Sequence, residues 1–138
     1  MENTRKTLTA SCRAIALTIP LFAGCTYASV GEVRELGSEG DTFANALTSE
    51  YKMLALYEAD QMADWIDAEH FANKGLDAAR GNIRDPEEIK NWDIEDDKVA
   101  ELAAARERLV TFLNAGAGDR APTQVAKAQA SFDCWLEQ

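Results

Sequence analysis

From Thr42 onward, apolar side chains recur at helical intervals. Phe43, Leu47, Tyr51, Leu54, Met62, Trp65, Ala72, Leu76 and Ala79 are separated by three or four residues or by small multiples of the helical repeat, with acids and lysines on the opposite face. This pattern predicts one amphipathic helix. It would run for roughly forty residues, or ~60 Å at 1.5 Å per residue, and stop at Gly81-Asn82. Gly75 weakens its last turns and predicts a bend there.

The stretch NIRDPEEIKNWD interrupts the pattern, because Pro86 cannot continue a helix. Asp93 then reads as an N-cap, with Glu95, Asp96 and Asp97 in the first turn against the positive end of the helix. Val99, Leu102, Arg106, Leu109 and Leu113 follow at helical spacing, Ala103 and Val110 beside them. Arg106 is expected to bury its stem in that seam and send its guanidinium outward. NAGAGDRAP ends this helix. A third begins near Pro122 and places Val125, Ala128, Phe132 and Trp135 on one face. No strand alternation is present. The expected architecture is all-α: a long amphipathic helix with two shorter antiparallel helices laid along it. Trp65 and Trp135 fall on the apolar faces and are expected to be largely buried, whereas Trp92 in the connector matters less.

Ahead of Thr42 the character differs. Arg5, Lys6 and Arg13 precede the uncharged apolar run Ala14–Gly24, AIALTIPLFAG, which ends at Cys25. That run is far shorter than the ~20 residues a membrane-spanning helix needs, and Pro20 interrupts it. Basic start, short apolar core and small residues before a cut make a secretory signal peptide. The ending, LFAGC, resembles the lipobox of bacterial lipoproteins, with Phe22 where Leu is usual. That resemblance implies cleavage before Cys25 and lipidation of Cys25, an anchor of several acyl chains. The stretch Thr26–Asp41, TYASVGEVRELGSEGD, lacks apolar periodicity and contains three glycines, so it reads as a flexible tether. The expected organisation is a signal peptide at 1–24, a tether at 25–41 and a helical periplasmic domain at 42–138.

Charge narrows the choice of partners. The 138-residue chain has 14 basic and 24 acidic residues. Removing residues 1–24 takes away three basic residues and one acid, leaving 11 − 23 = −12. A domain this acidic is not expected to bind nucleic acid or an anionic membrane surface electrostatically. Of three cysteines, Cys12 lies in the leader and Cys25 at the anchor. Cys134 is left without a partner in its own chain, a candidate for an intermolecular disulfide. It sits beside the third helix's stripe, near the chain end, where fraying would expose it.

Longer stretches carry a second resemblance. FANALTSEYKMLALYEADQMADWIDAEHFANKGLDAARG, PEEIKNWDI, AAARERLVTFLNAGA and AKAQASFDCWLEQ resemble the N-terminal helical region of OmpA-family lipoproteins of alphaproteobacterial type. The likeness covers roughly residues 43–138. It implies an outer-membrane location on the periplasmic side, a helical fold and a structural cell-envelope role. It also implies that peptidoglycan is a partner only where the family's C-terminal binding domain follows. In longer relatives the FDCW cysteine, here Cys134, would pair with one further downstream.

Candidate chemistry is sparse. Asp67 and His70 share a helix face at i and i+3, half of the motif a di-iron bundle uses twice. With only one histidine in the chain, His70 reads as a solvated or partly packed side chain. DIEDD lacks the glycine and closing glutamate of a calcium loop and reads as an acid-rich helix start. Cys134 is flanked by Asp133 and Glu137 rather than by a base or a cation, which disfavours a nucleophile. Tyr51, Tyr57, Trp65, Trp92, Phe132 and Trp135 read as core rather than as a ligand groove. The expectation is a non-enzymatic module without metal or cofactor, partnered by the membrane through its lipid and by other envelope proteins. The alternative is a periplasmic adaptor that recruits a partner through its acidic helical face.

Overall fold

The computed structural model describes residues 27–37 and 40–138. The leader, Cys12 and the lipidation expected at Cys25 lie outside the described residues. Among those residues there are six α-helices and no strand: α1 (Ala28–Glu35), α2 (Phe43–Tyr57), α3 (Trp65–Ala79), α4 (Asp96–Asn114), α5 (Ala117–Arg120) and α6 (Pro122–Glu137). A π-helical turn, Glu58–Met62, joins α2 to α3, and a 3₁₀ turn, Ile89–Asn91, lies in the connector before α4.

The single forty-residue helix expected from the periodicity is a hairpin instead. Its chain reversal is local. The N–H groups of Ala63 and Asp64 both return to the Glu58 carbonyl, and Ala63 adopts a left-handed conformation (φ 57°) that ends the turn. Asp64 then caps α3 by accepting from the N–H groups of Ile66 and Asp67 at 3.0 and 3.1 Å. An unbroken stripe does not distinguish the two outcomes, because a hairpin folds the same stripe onto itself. Leu47, Tyr51 and Ala55 of α2 are buried against Ala68, Phe71, Ala72 and Leu76 of α3. Folding back shields a surface that a lone 60 Å helix would leave wet.

The expected flexible tether also gives way to structure. Residues 28–35 form α1, whose Val30 and Val33 are buried in the main core. Eight residues are too few to sustain a helix in isolation, so tertiary contacts hold it. Gly75 makes the closest approach possible: a Cβ there would lie 3.2 Å from Val33 Cγ2 and 3.4 Å from Tyr51 Cβ. The glycine expected to bend the helix is a packing position. At the end of α1, Lys52 Nζ donates to the carbonyls of Arg34 and Leu36, both at 2.7 Å, satisfying groups the helix terminus leaves open.

A smaller cluster of Leu102, Phe132 and Leu136 joins α4 to α6, with Trp92, Ile94 and Leu109 packed against it. Leu102 is the sole buried residue of α4. That helix begins at Asp96, with Glu95 rather than Asp93 at its N-cap. Two expectations about tryptophan fail here. Trp65 is 41% exposed and Trp135 49% exposed. Trp65 stands at the first position of α3, beside the turn that ends the hairpin. Trp135 is turned away because the interior face of α6 runs through Ala126, Gln129, Ala130 and Asp133, a set that apolar periodicity does not read.

Candidate functional site

The most concentrated chemistry in the fold is a buried polar network between α2, α3, α6 and the connector. Asp133 of α6 is at its centre. Its Oδ2 accepts from the Tyr51 hydroxyl at 2.5 Å and from Lys74 Nζ at 2.6 Å, and its Oδ1 accepts from the Glu87 N–H at 2.9 Å. Lys74 also donates to Glu87 Oε1 at 2.8 Å, and its ammonium lies 5.1 Å from the centre of the Tyr51 ring. Gln129 Nε2 donates to the Tyr51 hydroxyl and to the Arg84 carbonyl at 3.1 and 2.8 Å. The connector, which lacks apolar periodicity, is therefore held by side chains reaching it from α3 and α6.

His70 completes the set. Its Nε2 is 3.0 Å from the Glu87 Oε1 that Lys74 also holds. An ionised carboxylate only accepts, so the ring nitrogen facing it carries the proton. The hydrogen bond from His70, with further support from Lys74, holds the Glu87 carboxyl down at about 2 against the opposing effect of its burial. Burial and the neighbouring Asp133 push the Tyr51 hydroxyl well above the usual phenol range. Arg106 does not reach outward as expected. Its Nε donates to the Glu87 carbonyl at 2.7 Å and its guanidinium to that of Pro86 at 3.0 Å.

What this arrangement can do follows from access. Lys74 is 1% exposed and Asp133 is fully buried. A lysine bracketed by two carboxylates and closed to solvent joins α3 to α6 and to the connector.

The residues singled out from sequence are dispersed. His70 turns toward Glu87, packing edge-on against Phe71 and Trp92 at 5.4 and 5.7 Å. Asp67 lies in the first turn of α3, its pKa raised by burial and by Asp64. No group of three or more His, Cys, Asp or Glu among the described residues is arranged to hold a metal ion. Cys134 is a half-buried free thiol. Burial, then the charges of Glu137, Glu58 and Asp133, push its pKa up. Tyr51 and Phe132 are interior as expected, whereas Tyr57 is exposed. The Trp92 indole N–H is buried without a partner.

Two further features had no sequence signal. Glu58, in the π turn, is 2% exposed with Oε1 unpartnered. Burial, Asp67 and Asp64 push its pKa up. Burial first, then Glu58, Asp67 and Asp64, pushes Glu137 up to about 6. Between α4 and α6, a cleft of about 340 Å³ is lined by Ala105, Arg108, Leu109, Phe112, Ala128, Ser131, Phe132 and Trp135.

No described helix is long and apolar enough to cross a membrane. No family model matches the chain, and no curated protein or solved structure matches it either.

Proposed function

We propose that this chain is a non-catalytic, lipid-anchored helical module on the periplasmic side of a Gram-negative outer membrane, with a structural role in the cell envelope. The observation that carries the reading is the Ala23-Gly24-Cys25 junction after a basic start and an apolar run too short to span a bilayer. The resemblance of residues 43–138 to the helical region of OmpA-family lipoproteins supports the same location. The buried network adds support for a structural role, since its charged groups engage one another instead of lining a cleft.

The test is Cys25→Ser expressed in a Gram-negative host. Wild type should sediment with the outer membrane and carry the mass of its acyl chains on Cys25. The variant should appear in the soluble periplasm or remain uncut. Unchanged fractionation and unchanged mass would sink the proposal.

One observation favours a partner-binding reading as a second choice, through an apolar cleft and not through the acidic face expected from the sequence. The cleft between α4 and α6 leaves Phe112 61% exposed on a helix with little packing of its own. Cross-linking in intact cells through that cleft would separate the two: a stoichiometric protein adduct speaks for an adaptor.

A further inference from the structure

At the end of the α2–α3 hairpin, several large apolar side chains stay outside the core. Ile66 is 76% exposed and Met62 56%, with Trp65 between them in the sequence. Tyr27, itself 44% exposed, rests on Trp65 with ring centres 5.4 Å apart. Tyr27 is also the described residue nearest in the chain to the proposed anchor, since only Thr26 separates it from Cys25.

Chain geometry makes that proximity consequential. Consecutive Cα atoms are 3.8 Å apart, so Cys25 Cα lies within about 7.6 Å of Tyr27 Cα whatever the conformation of the link. From Ala28 the chain is committed to α1, which is held to α3 by the burial of Val33 and by Ser29 Oγ donating to Asn73 Oδ1 at 2.9 Å. There is no slack for the domain to stand away from a bilayer that holds Cys25.

We propose that this end is a membrane-contact face, with Tyr27, Met62, Trp65 and Ile66 resting in the interface of a zwitterionic phospholipid bilayer. The inference rests on the acylation of Cys25. Tyr and Trp suit that depth, because each presents an apolar ring and a polar tip. Charge selects the lipid. Asp64 and Asp67 flank the face on α3, Glu58 and Glu137 interact with them, and the Arg34 guanidinium is held by Asp60 at 2.7 and 2.9 Å. Acids with an already paired cation repel an anionic surface and leave a zwitterionic one available.

The experiment uses the acylated protein reconstituted in phosphatidylcholine vesicles containing brominated acyl chains, which quench nearby tryptophan. Wild type should lose emission, and Trp65→Phe should lose a distinctly smaller fraction. Ile66→Asp, at a position exposed enough to leave the fold intact by circular dichroism, should weaken the quenching of Trp65. Equal quenching of wild type and Trp65→Phe, with the acyl mass present on Cys25, overturns the contact face and leaves the anchor standing. Absence of the acyl mass overturns both. Self-association of the soluble Cys25→Ser protein, abolished by Ile66→Asp in sedimentation, would assign the face to a second copy of this chain and overturn the bilayer as its occupant.

Discussion

Lys74 and Asp133 meet at 2.6 Å across α3 and α6, 59 residues apart in the chain and both withdrawn from solvent. A buried ion pair is weak evidence of net stability, since desolvation offsets much of the attraction. Its removal by halves is another matter. Lys74→Met leaves Asp133 and Glu87 facing each other without their cation, and should cost about 3–5 kcal/mol. Lys74→Met combined with Asp133→Leu should cost less than the two single changes added together. Urea melts of the three variants give the coupling directly, and strict additivity would show that the pair does not act as one.

Acids shifted to either side of the ordinary glutamate value should bend the stability curve in opposite directions. Glu87 has a folded pKa of about 2 against an ordinary 4.5. Its contribution is present above pH 4.5 and is lost as pH falls toward 2. Glu137 is raised to about 6, and Glu58 is raised too. The Glu137 contribution is present below pH 4.5 and is lost as pH climbs through about 6, and that of Glu58 is lost in the same direction. Chemical denaturation as a function of pH should therefore show a maximum near pH 4.5–5, and Glu137→Gln should flatten the descent above it.

Helix α1 should depend on its anchorage to α3. Val33 is fully buried beside Gly75, so Val33→Asp places an unpaired charge in an apolar site. Amide exchange in residues 28–35 should accelerate to the rate of an unprotected chain, while the α2–α3 hairpin keeps most of its protection. Unchanged exchange in α1 would count against the packing described.

The three tryptophans should rank in an order opposite to that suggested by their apolar spacing. Trp92 is half-buried in the smaller cluster, whereas Trp65 and Trp135 are more exposed. Trp92→Ala should cost roughly 2 kcal/mol, about half of the value for a fully buried ring. Trp65→Ala and Trp135→Ala should each cost less in thermal melts.

Cys134 should react slowly as a thiol. Its pKa is raised above the ordinary 9.0 by burial and by three acids, which lowers the thiolate fraction at neutral pH. Alkylation should lag behind that of a free thiol and accelerate steeply with pH. Oxidised protein should form some dimer on non-reducing gels, abolished by Cys134→Ser with the fold retained.

The helical class and the faces of α2 and α3 were legible, because Leu47, Tyr51, Ala72 and Leu76, all buried, recur at the helical period. The reversal at Ala63 was not, since a folded stripe and a straight one have the same spacing. Helix α1 was hidden because two valines among three glycines carry little periodic signal, and its stability comes from Gly75 on another element. The network escaped for a further reason. Lys74, Gln129 and Asp133 are polar in sequence, and only tertiary partners make interior positions suitable for them. Glu87 lies in a connector with no period, where nothing local announces that three helices converge on it.

Asp133 also sets an order in time. Synthesis proceeds from the N-terminus, and the α2–α3 hairpin, made of local contacts, is the part able to form early. Lys74 belongs to that hairpin, yet its fully buried counter-charge belongs to the last helix. Until α6 emerges, closing the hairpin over Lys74 means removing an ammonium from water without Asp133 to receive it. Before α6 docks, Glu87 alone of its two carboxylate partners is available to Lys74. A chain truncated at residue 120 should show helical circular dichroism without a cooperative melt, and adding residues 121–138 as a separate peptide should restore it.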